Sequence, residues 1–302
     1  MSEASIIRWL LDGDPAIRWQ VMRDLVHQPN DVVAVERSRI AKEGWGRSLL
    51  DRQVPEGWWN PNDRGWMITM DALALLREMG LDPSSDAAAR AIARVKSNLR
   101  WERLNDRPYF EGETEPCING AILAFGSYFG ERCDNIVDRL LSEQLADGGW
   151  NCEAPPSARS SFNSTIRVLE GLLEYERQWS ASAAITGARR RGHDYLLERR
   201  MFRRLATGEI VERKWTRFTF PTMWHYDVLR GLDYLRSAGL EPDERAAEAI
   251  GVVEARRHQN GRWPMNHLHA DRLGFPLERE IGRASRWNTL RAMRVLNWYF
   301  RR

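Results

Sequence analysis

The sequence predicts an all-α protein built from six helical hairpins. An eight-residue frame recurs six times, each copy lies in a segment that is apolar nearly all round, and amphipathic stretches alternate with these segments. A helix that is apolar all round is buried, whereas a helix with one apolar stripe keeps a face in water. We therefore predict alternating inner and outer helices in a single domain over residues 1–302.

The recurring frame marks the inner helices. It is clearest at 165–172, with the sequence TIRVLEGL, and at 289–296, with TLRAMRVL. The remaining copies lie at 69–76, 119–126, 225–232 and, more weakly, 18–25. The apolar segments around two of these copies predict inner helices over 118–129 and 223–235.

The outer helices are predicted from apolar residues at helical spacing, as at Ala88, Ile92, Val95 and Leu99. Two further stretches of this kind lie at 136–141 and 246–253. Three aspartates stand where helix N-caps or first turns belong, and we expect each to begin a helix: Asp14, Asp82 and Asp243.

Six hairpins can stack as an open solenoid or close into a double ring, because each hairpin needs only its neighbours to bury its apolar face. The turns distinguish these arrangements by a resemblance. The segments 53–59 and 144–150 both read Q-x-x-x-G-x-W, and 257–263 keeps the Gly and Trp but begins with Arg257. Glycine permits a tight turn, the Gln side chain can hydrogen-bond exposed backbone at a helix end, and Trp fills the gap between hairpins.

These turns resemble the QW motif of squalene and oxidosqualene cyclases. The resemblance covers nearly the whole chain and implies an α/α toroid, as in those cyclases and in protein prenyltransferase β subunits. It implies a terpenoid cyclase- or prenyltransferase-like protein whose central cavity binds an isoprenoid or a similar small molecule with an apolar body and an anionic end. The Asp-rich D-x-D-D motif with which class II terpene cyclases protonate an alkene does not occur in this sequence.

Aligning the repeats predicts which side chains face the interior of a ring. The position of Arg167 lies about 200° around the helix from that of Thr165 and would face inwards if the leucines of the frame pack outwards. Across the six repeats this position holds Gln20, Asp71, Ala121, Arg167, Asp227 and Arg291. Buried charges of this kind either pair, as Arg167 with Glu170 and Asp227 with Arg230, or form a binding site.

The binding-site interpretation assigns roles to these residues and to others near the same helix ends. The predicted acid, base or nucleophile residues are Asp71, Asp227, Cys117 and Glu115. Cys117 is included because a helix N-terminus lowers the pKa of a thiol, and Glu115 belongs to the same segment. The predicted substrate-binding residues are Arg167, Arg291, Asn163, Trp287, Trp150 and His225.

Zinc is a candidate cofactor, since in a closed ring the predicted inner-helix ends share one rim. Cys117, Cys152, His267 and His269 lie at or near these ends and are the predicted ligands. Protein prenyltransferase β subunits bind zinc through an Asp, a nearby Cys and a distant His, which the resemblance brings into consideration. The alternative interpretation is that the cysteines are small buried residues and the histidines are solvated loop residues.

Composition limits the remaining possibilities. The net charge of +3 comes from 45 basic and 42 acidic residues spread along the chain, so we expect no nucleic-acid partner. No apolar run is long enough for a membrane span, and three cysteines cannot all pair, which favours a soluble or peripherally associated cytoplasmic protein. Two other functions remain open: a scaffold that recognises a protein or peptide, and a polysaccharide-active α/α barrel in which some of the 14 tryptophans stack on sugars.

Overall fold

Helices dominate the computed structural model of the chain. It describes residues 2–59, 65–180, 182–269, 273–275, 277–278 and 280–301. The α-helices, in chain order, are α1 Glu3–Leu11, α2 Pro15–Asp24, α3 Asn30–Ser38, α4 Gly44–Leu50, α5 Trp66–Met79, α6 Asp86–Asn98, α7 Pro116–Tyr128, α8 Asp134–Ser142, α9 Phe162–Trp179, α10 Ala183–Glu198, α11 Val228–Ser237, α12 Ala247–Ala255 and α13 Arg286–Phe300. Two short antiparallel strands, β1 Arg100–Trp101 and β2 Arg107–Pro108, pair with each other. The predicted all-α class is confirmed.

The chain forms two compact units, residues 1–47 with 196–302 and residues 48–195. Helices that carry the recurring frame pack against one another within each unit: α5 on α7 and α7 on α9 in the second unit, and α11 on α13 and α13 on α2 in the first. The inner helix α7 is buried without interruption over residues 118–127, whereas the outer helix α6 buries one stripe. This confirms the division into inner and outer helices, and closure of all six hairpins into one ring stays a prediction. None of the described helices is long and apolar enough to cross a membrane.

The three QW-type turns share one set of hydrogen bonds. The indole Nε1 of Trp59, Trp150 and Trp263 donates to the carbonyl of a residue in the last turn of the preceding helix, at 2.8, 2.7 and 2.7 Å. The acceptors are Leu49, Leu140 and Val253. At the start of the turn, the side chain of Gln53, Gln144 or Arg257 donates to the carbonyl of the turn glycine, at 3.0, 2.7 and 3.2 Å.

The structure corrects the predicted role of the glutamine. Gln53 Nε2 also donates to the Ala91 carbonyl at 2.9 Å, and Gln144 Nε2 donates to the Ala188 carbonyl at 2.8 Å. Both carbonyls lie inside an outer helix, α6 or α10, and not at a helix end as predicted. The Gln therefore ties its turn to the flank of the next outer helix, while the Trp takes the helix-end carbonyl. Gly148 has φ +92°, and a Cβ there would lie 2.5 Å from the Arg191 carbonyl oxygen, so the turn requires glycine.

The helix starts confirm two predicted caps and correct one expectation. Asp14 accepts a hydrogen bond from the Ala16 N–H at 2.9 Å and caps α2, as predicted. Ser85, and not Asp82, caps α6, because Asp82 instead accepts from the N–H and hydroxyl of Ser84 in the preceding turn. Asp243 caps a short 3₁₀ helix that precedes α12.

The inner helix predicted over 223–235 begins later than expected. Asp227 has an extended backbone conformation and accepts from the Arg230 N–H at 2.7 Å, so α11 begins at Val228. Met223 therefore does not lie on the same helix as Asp227, and the predicted interior position of this repeat is the N-cap of a helix.

A close contact between two inner helices depends on glycine. A Cβ on Gly120 of α7 would lie 2.6–2.7 Å from backbone atoms of Arg167 and Val168 in α9. Side chains at this position would separate the two backbones, because backbone atoms cannot move aside as a flexible side chain can.

We therefore expect Gly120→Ala to lower the free energy of unfolding by about 1–3 kcal/mol, despite the higher helix propensity of alanine. The matched control is Gly251→Ala in α12, where no atom lies within 4 Å of the added Cβ, and this variant should gain about 0.5–1 kcal/mol. Urea unfolding followed by circular dichroism measures both. Equal gains in the two variants would show that the α7–α9 contact tolerates a methyl group.

Candidate functional site

The predicted site residues form two groups, one in each unit. The first unit contains Asp227, Arg291, Trp287, His225, His267 and His269. The second unit contains Asp71, Arg167, Glu115, Cys117, Cys152, Asn163 and Trp150. Asp71, Arg167, Asp227 and Arg291 are all buried, as the repeat alignment predicts.

Asp227 lies at the N-terminus of α11 and is 2% exposed. Its Oδ1 accepts from the Arg230 N–H and lies 3.9 Å from Nη2 of Arg291 in α13. Its Oδ2 is buried and has no hydrogen-bond partner among the residues that the structure describes. Burial of the carboxylate raises the pKa of Asp227, and the opposing effects of Arg291, the Arg230 N–H and the Arg230 charge do not cancel this rise.

A half-buried aspartate within α11, Asp233, has different partners from those of Asp227. Asp233 Oδ2 lies 2.7 Å from Nη2 of Arg294, whose Nη1 contacts Gln20 at 2.7 Å and Asp24 at 3.1 Å. Burial alone would raise the pKa of Asp233, but Arg294 and two further arginines hold it far below the ordinary value. This network ties α2, α11 and α13 together and keeps Asp233 ionised, in contrast to Asp227.

The ion pair of Asp227 joins two helices, whereas the sequence predicted a partner for it within its own helix. Asp227 of α11 pairs with Arg291 of α13. The Arg230 guanidinium, the expected partner of Asp227, donates to the carbonyls of Met223 at 3.0 Å and His225 at 2.8 Å. The late start of α11 explains this difference. Asp227 lies at the N-cap of α11, where its carboxylate accepts from the Arg230 N–H.

Two stacked aromatic rings, those of Trp287 and Phe220, lie near Arg291 in the chain or in contact with its neighbours. Trp287 lies one helical turn before Arg291 on α13 and stacks on Phe220, with ring centroids 4.0 Å apart and planes 14° apart. Thr219, beside Phe220 in the chain, accepts from Arg291 Nη1 at 3.3 Å through its carbonyl. The Trp287 Nε1 is buried and has no partner in the described part of the chain.

Three predicted histidines lie together in this unit. The rings of His225 and His269 stack with centroids 3.6 Å apart, and the rings of His267 and His269 meet edge to face at 4.8 Å. Burial lowers the pKa of His267, and the Asp227 charge opposes this shift. Burial and the neighbouring histidine charges lower the pKa of His269 to about 3, so His269 is neutral at pH 7.

In the second unit, the charges of Asp71 and Arg167 act on Tyr109, a residue that was not predicted to belong to a site. Burial raises the pKa of Tyr109, the Asp71 charge raises it further, and Arg167 opposes both effects. Tyr109 stacks on Trp101 at 5.1 Å and donates its hydroxyl to the Trp66 carbonyl at 3.2 Å. Arg167 Nη1 lies 3.8 Å from the Met70 sulfur.

The predicted substrate ligands Trp150 and Asn163 differ in exposure. Asn163 is half-buried near the start of α9. Trp150 is fully buried and donates its indole N–H to the Leu140 carbonyl. Its observed contacts are those of the QW-type turn, and its role as a substrate ligand stays a prediction.

The predicted zinc ligands are divided between the units. Within the described residues, the group that could hold a metal ion is Glu115, Cys117 and Cys152, whose ligand atoms all lie within 4.8 Å of one another. His267 and His269 belong to the other unit and are not part of this group. Glu115 was predicted to be catalytic. In the structure it is the third possible ligand, where the sequence predicted histidines.

Solved structures that match this chain include those of a type II terpene cyclase. A variant of MstE from Scytonema, in complex with its product merosterolic acid A, is 17% identical to this chain, with a TM-score of 0.45 and coverage of 94% of this chain and 85% of that chain. Ligand-free MstE is 16% identical, with a TM-score of 0.45 and coverage of 94% and 86%. A second ligand-free variant is 18% identical, with a TM-score of 0.42 and coverage of 83% and 70%. No protein-family model and no curated protein matches the sequence.

Sequence reasoning did not single out several residues that shape the two groups. Asp233, Phe220 and Ser164 belong to none of the predicted interior positions, and Tyr109 lies in a turn between repeats. Of these residues, Asp233 could have been identified from the sequence. A charged residue in a mostly apolar segment indicates an ion pair.

Proposed function

We propose that this chain is a terpenoid cyclase-like enzyme that binds an isoprenoid, or a similar small molecule with an apolar body and an anionic end, and acts on it by acid catalysis. Asp227 is the proposed proton donor. The observation that carries the proposal is the state of its carboxyl group, which is buried, has one oxygen without a partner in the described structure, and has a raised pKa. A carboxyl group of this kind is protonated over a wider pH range than a solvated one and can deliver its proton.

The neighbours of Asp227 support this role. Arg291 approaches the carboxyl at 3.9 Å without a close hydrogen bond, so it can orient the group and stabilise the carboxylate left after proton transfer. Trp287 and Phe220 provide aromatic faces near the same helix, and such faces stabilise positive charge on a substrate. Asp233 is a poor donor, since three arginines hold it ionised.

In the proposed step, the Asp227 O–H bond breaks and its proton adds to one carbon of a substrate double bond. The other carbon becomes cationic and is attacked by a second double bond of the same molecule, which closes a ring. Loss of a proton from the product cation completes the reaction. This reaction needs no oxidant or reductant. Because the chain has no D-x-D-D motif, the proton must come from another acid, for which we propose Asp227.

Incubation in D₂O tests the proposal. The purified chain is supplied separately with squalene, farnesyl diphosphate and geranylgeranyl diphosphate, and the extracts are analysed by mass spectrometry. We expect a cyclised product that carries one deuterium on carbon, because the enzyme acid exchanges with solvent before it protonates the substrate. A product without deuterium would contradict protonation as the initiating step. Absence of both product and binding for all three compounds would overturn the proposal and favour the scaffold interpretation.

A further inference from the structure

Two cysteines and a glutamate meet at the start of an inner helix in the second unit. Glu115 immediately precedes α7, and Cys117 is the second residue of that helix. Cys152 follows the QW-type turn that ends at the fully buried Trp150, so its backbone is anchored two residues away. The two thiol sulfurs and a Glu115 carboxylate oxygen all lie within 4.8 Å of one another.

Each ligand atom already has polar contacts that hold it in place. The Cys117 thiol is 3.6 Å from Oε2 of Glu115 and is placed to donate to it. The Cys152 sulfur is 3.3 Å from the Ser164 hydroxyl, which also accepts from the Cys152 N–H at 3.3 Å. Both cysteines are half-buried, and Glu115 is exposed.

The three groups repel one another when all are ionised. Contact with the Cys152 thiol and burial raise the pKa of Cys117, whereas contact with Cys117 lowers the pKa of Cys152. The Glu115 charge disfavours both thiolates. A bound cation would offset this repulsion between the three groups.

We propose that Glu115, Cys117 and Cys152 bind one zinc ion, with a fourth coordination position left for water or another ligand. Zinc binds both thiolate sulfur and carboxylate oxygen. Catalytic zinc sites typically have three protein ligands and one open position. Tetrahedral Zn–S bonds of about 2.3 Å place two sulfurs about 3.8 Å apart. The observed limit of 4.8 Å lies close to this separation, so small side-chain rotations complete the site.

Charge balance favours a divalent cation. Two thiolates and one carboxylate carry three negative charges, and the buried Arg167 is close enough for its positive charge to act on the Cys117 thiol. A divalent cation would neutralise two of these three negative charges. This site does not rest on the proposed acid catalysis, because its residues all belong to the second unit and Asp227 to the first.

Metal binding to the purified full chain tests the proposal. The protein is treated with a chelator, kept reduced with a phosphine that does not compete for metal, and reloaded with Zn²⁺. We expect about one zinc per chain by elemental analysis, and a thiolate-to-cobalt charge-transfer band when Co²⁺ replaces zinc. Cys117→Ala and Cys152→Ala should abolish both signals, and Glu115→Gln should weaken zinc binding at least about tenfold.

Two controls keep the test decisive. Cys133→Ala removes the third cysteine, which is buried apart from this group, and should leave zinc binding unchanged. Circular dichroism shows whether each variant folds. If the cysteine variants unfold, Glu115→Gln still tests the site, because it changes only an exposed side chain. Zinc that persists in both cysteine variants and is lost in His267→Ala would place the ion at the histidines and overturn the proposal. Absence of zinc from the folded, reduced wild-type protein would overturn it as well.

Discussion

Replacing Asp227 with asparagine is expected to lower kcat for formation of the cyclised isoprenoid by about 10²–10⁴-fold. This is the usual contribution of a positioned general acid. Asparagine keeps the shape of the side chain and can still accept from the Arg230 N–H, so α11 retains its cap. What it lacks is the acidic proton. Steady-state kinetics on the product identified in D₂O measures the effect, and thermal unfolding confirms that the variant is folded.

The matched control is Asp71→Asn, which removes the other buried acid that the repeat alignment predicts to be catalytic. This variant should retain activity within about tenfold if Asp227 is the donor. A large loss in Asp71→Asn with little loss in Asp227→Asn would assign the acid to the second unit and contradict the proposal.

The pH dependence provides an independent check on the same residue. Only the protonated carboxyl can donate, and burial raises the pKa of Asp227 above its ordinary value. We therefore expect the wild-type rate to be highest below this raised pKa and to fall as the pH rises through it. The residual rate of Asp227→Asn should lose this fall.

Replacing Trp150 with alanine is expected to lower the free energy of unfolding by about 3–5 kcal/mol, the usual cost of removing a buried aromatic side chain. The ring is fully buried and fills the space beside Gly192, whose added Cβ would lie 3.3 Å from it. Alanine would leave a cavity and would also leave the Leu140 carbonyl without its indole donor. Urea unfolding followed by circular dichroism measures the loss.

Trp224→Ala is the matched control, because this indole is 42% exposed. Its removal should cost less than about 1 kcal/mol, as expected for a surface substitution. Trp150→Phe should lie between the two, since it keeps most of the ring but loses the N–H. If Trp150→Ala were as stable as Trp224→Ala, the turn tryptophans would not stabilise the hairpins, and the structural role of the motif would be wrong.

Much of the fold could be predicted from the sequence because it depends on local patterns. The spacing of Ala88, Ile92 and Val95 gives one buried stripe, and that stripe appears in α6. The repeated frame at 165–172 lies in α9, which packs on α7 as an inner helix. The glycine and tryptophan of each QW-type turn also have the contacts expected of a tight turn and a space-filling ring.

The candidate sites were only partly predictable, because their chemistry depends on distances between segments. Cys117 and Cys152 were both candidates, but the sequence grouped them with His267 and His269, and the structure groups them with Glu115. Burial of Asp227 followed from the repeat, whereas its pairing with Arg291 required the late start of α11.

The sequence by itself determined where the helices lie, which faces they bury and where the turns require glycine or tryptophan. These properties follow from residue periodicity and backbone sterics, both of which act within a few residues along the chain. Only the tertiary structure decided which buried charges are neutralised. Asp227 caps the short helix in which Asp233 lies, yet Arg294 reaches Asp233 at 2.7 Å while Arg291 stays 3.9 Å from Asp227. That difference arises from how α13 packs on α11, and Coulomb energies in a buried environment are sensitive to such distances.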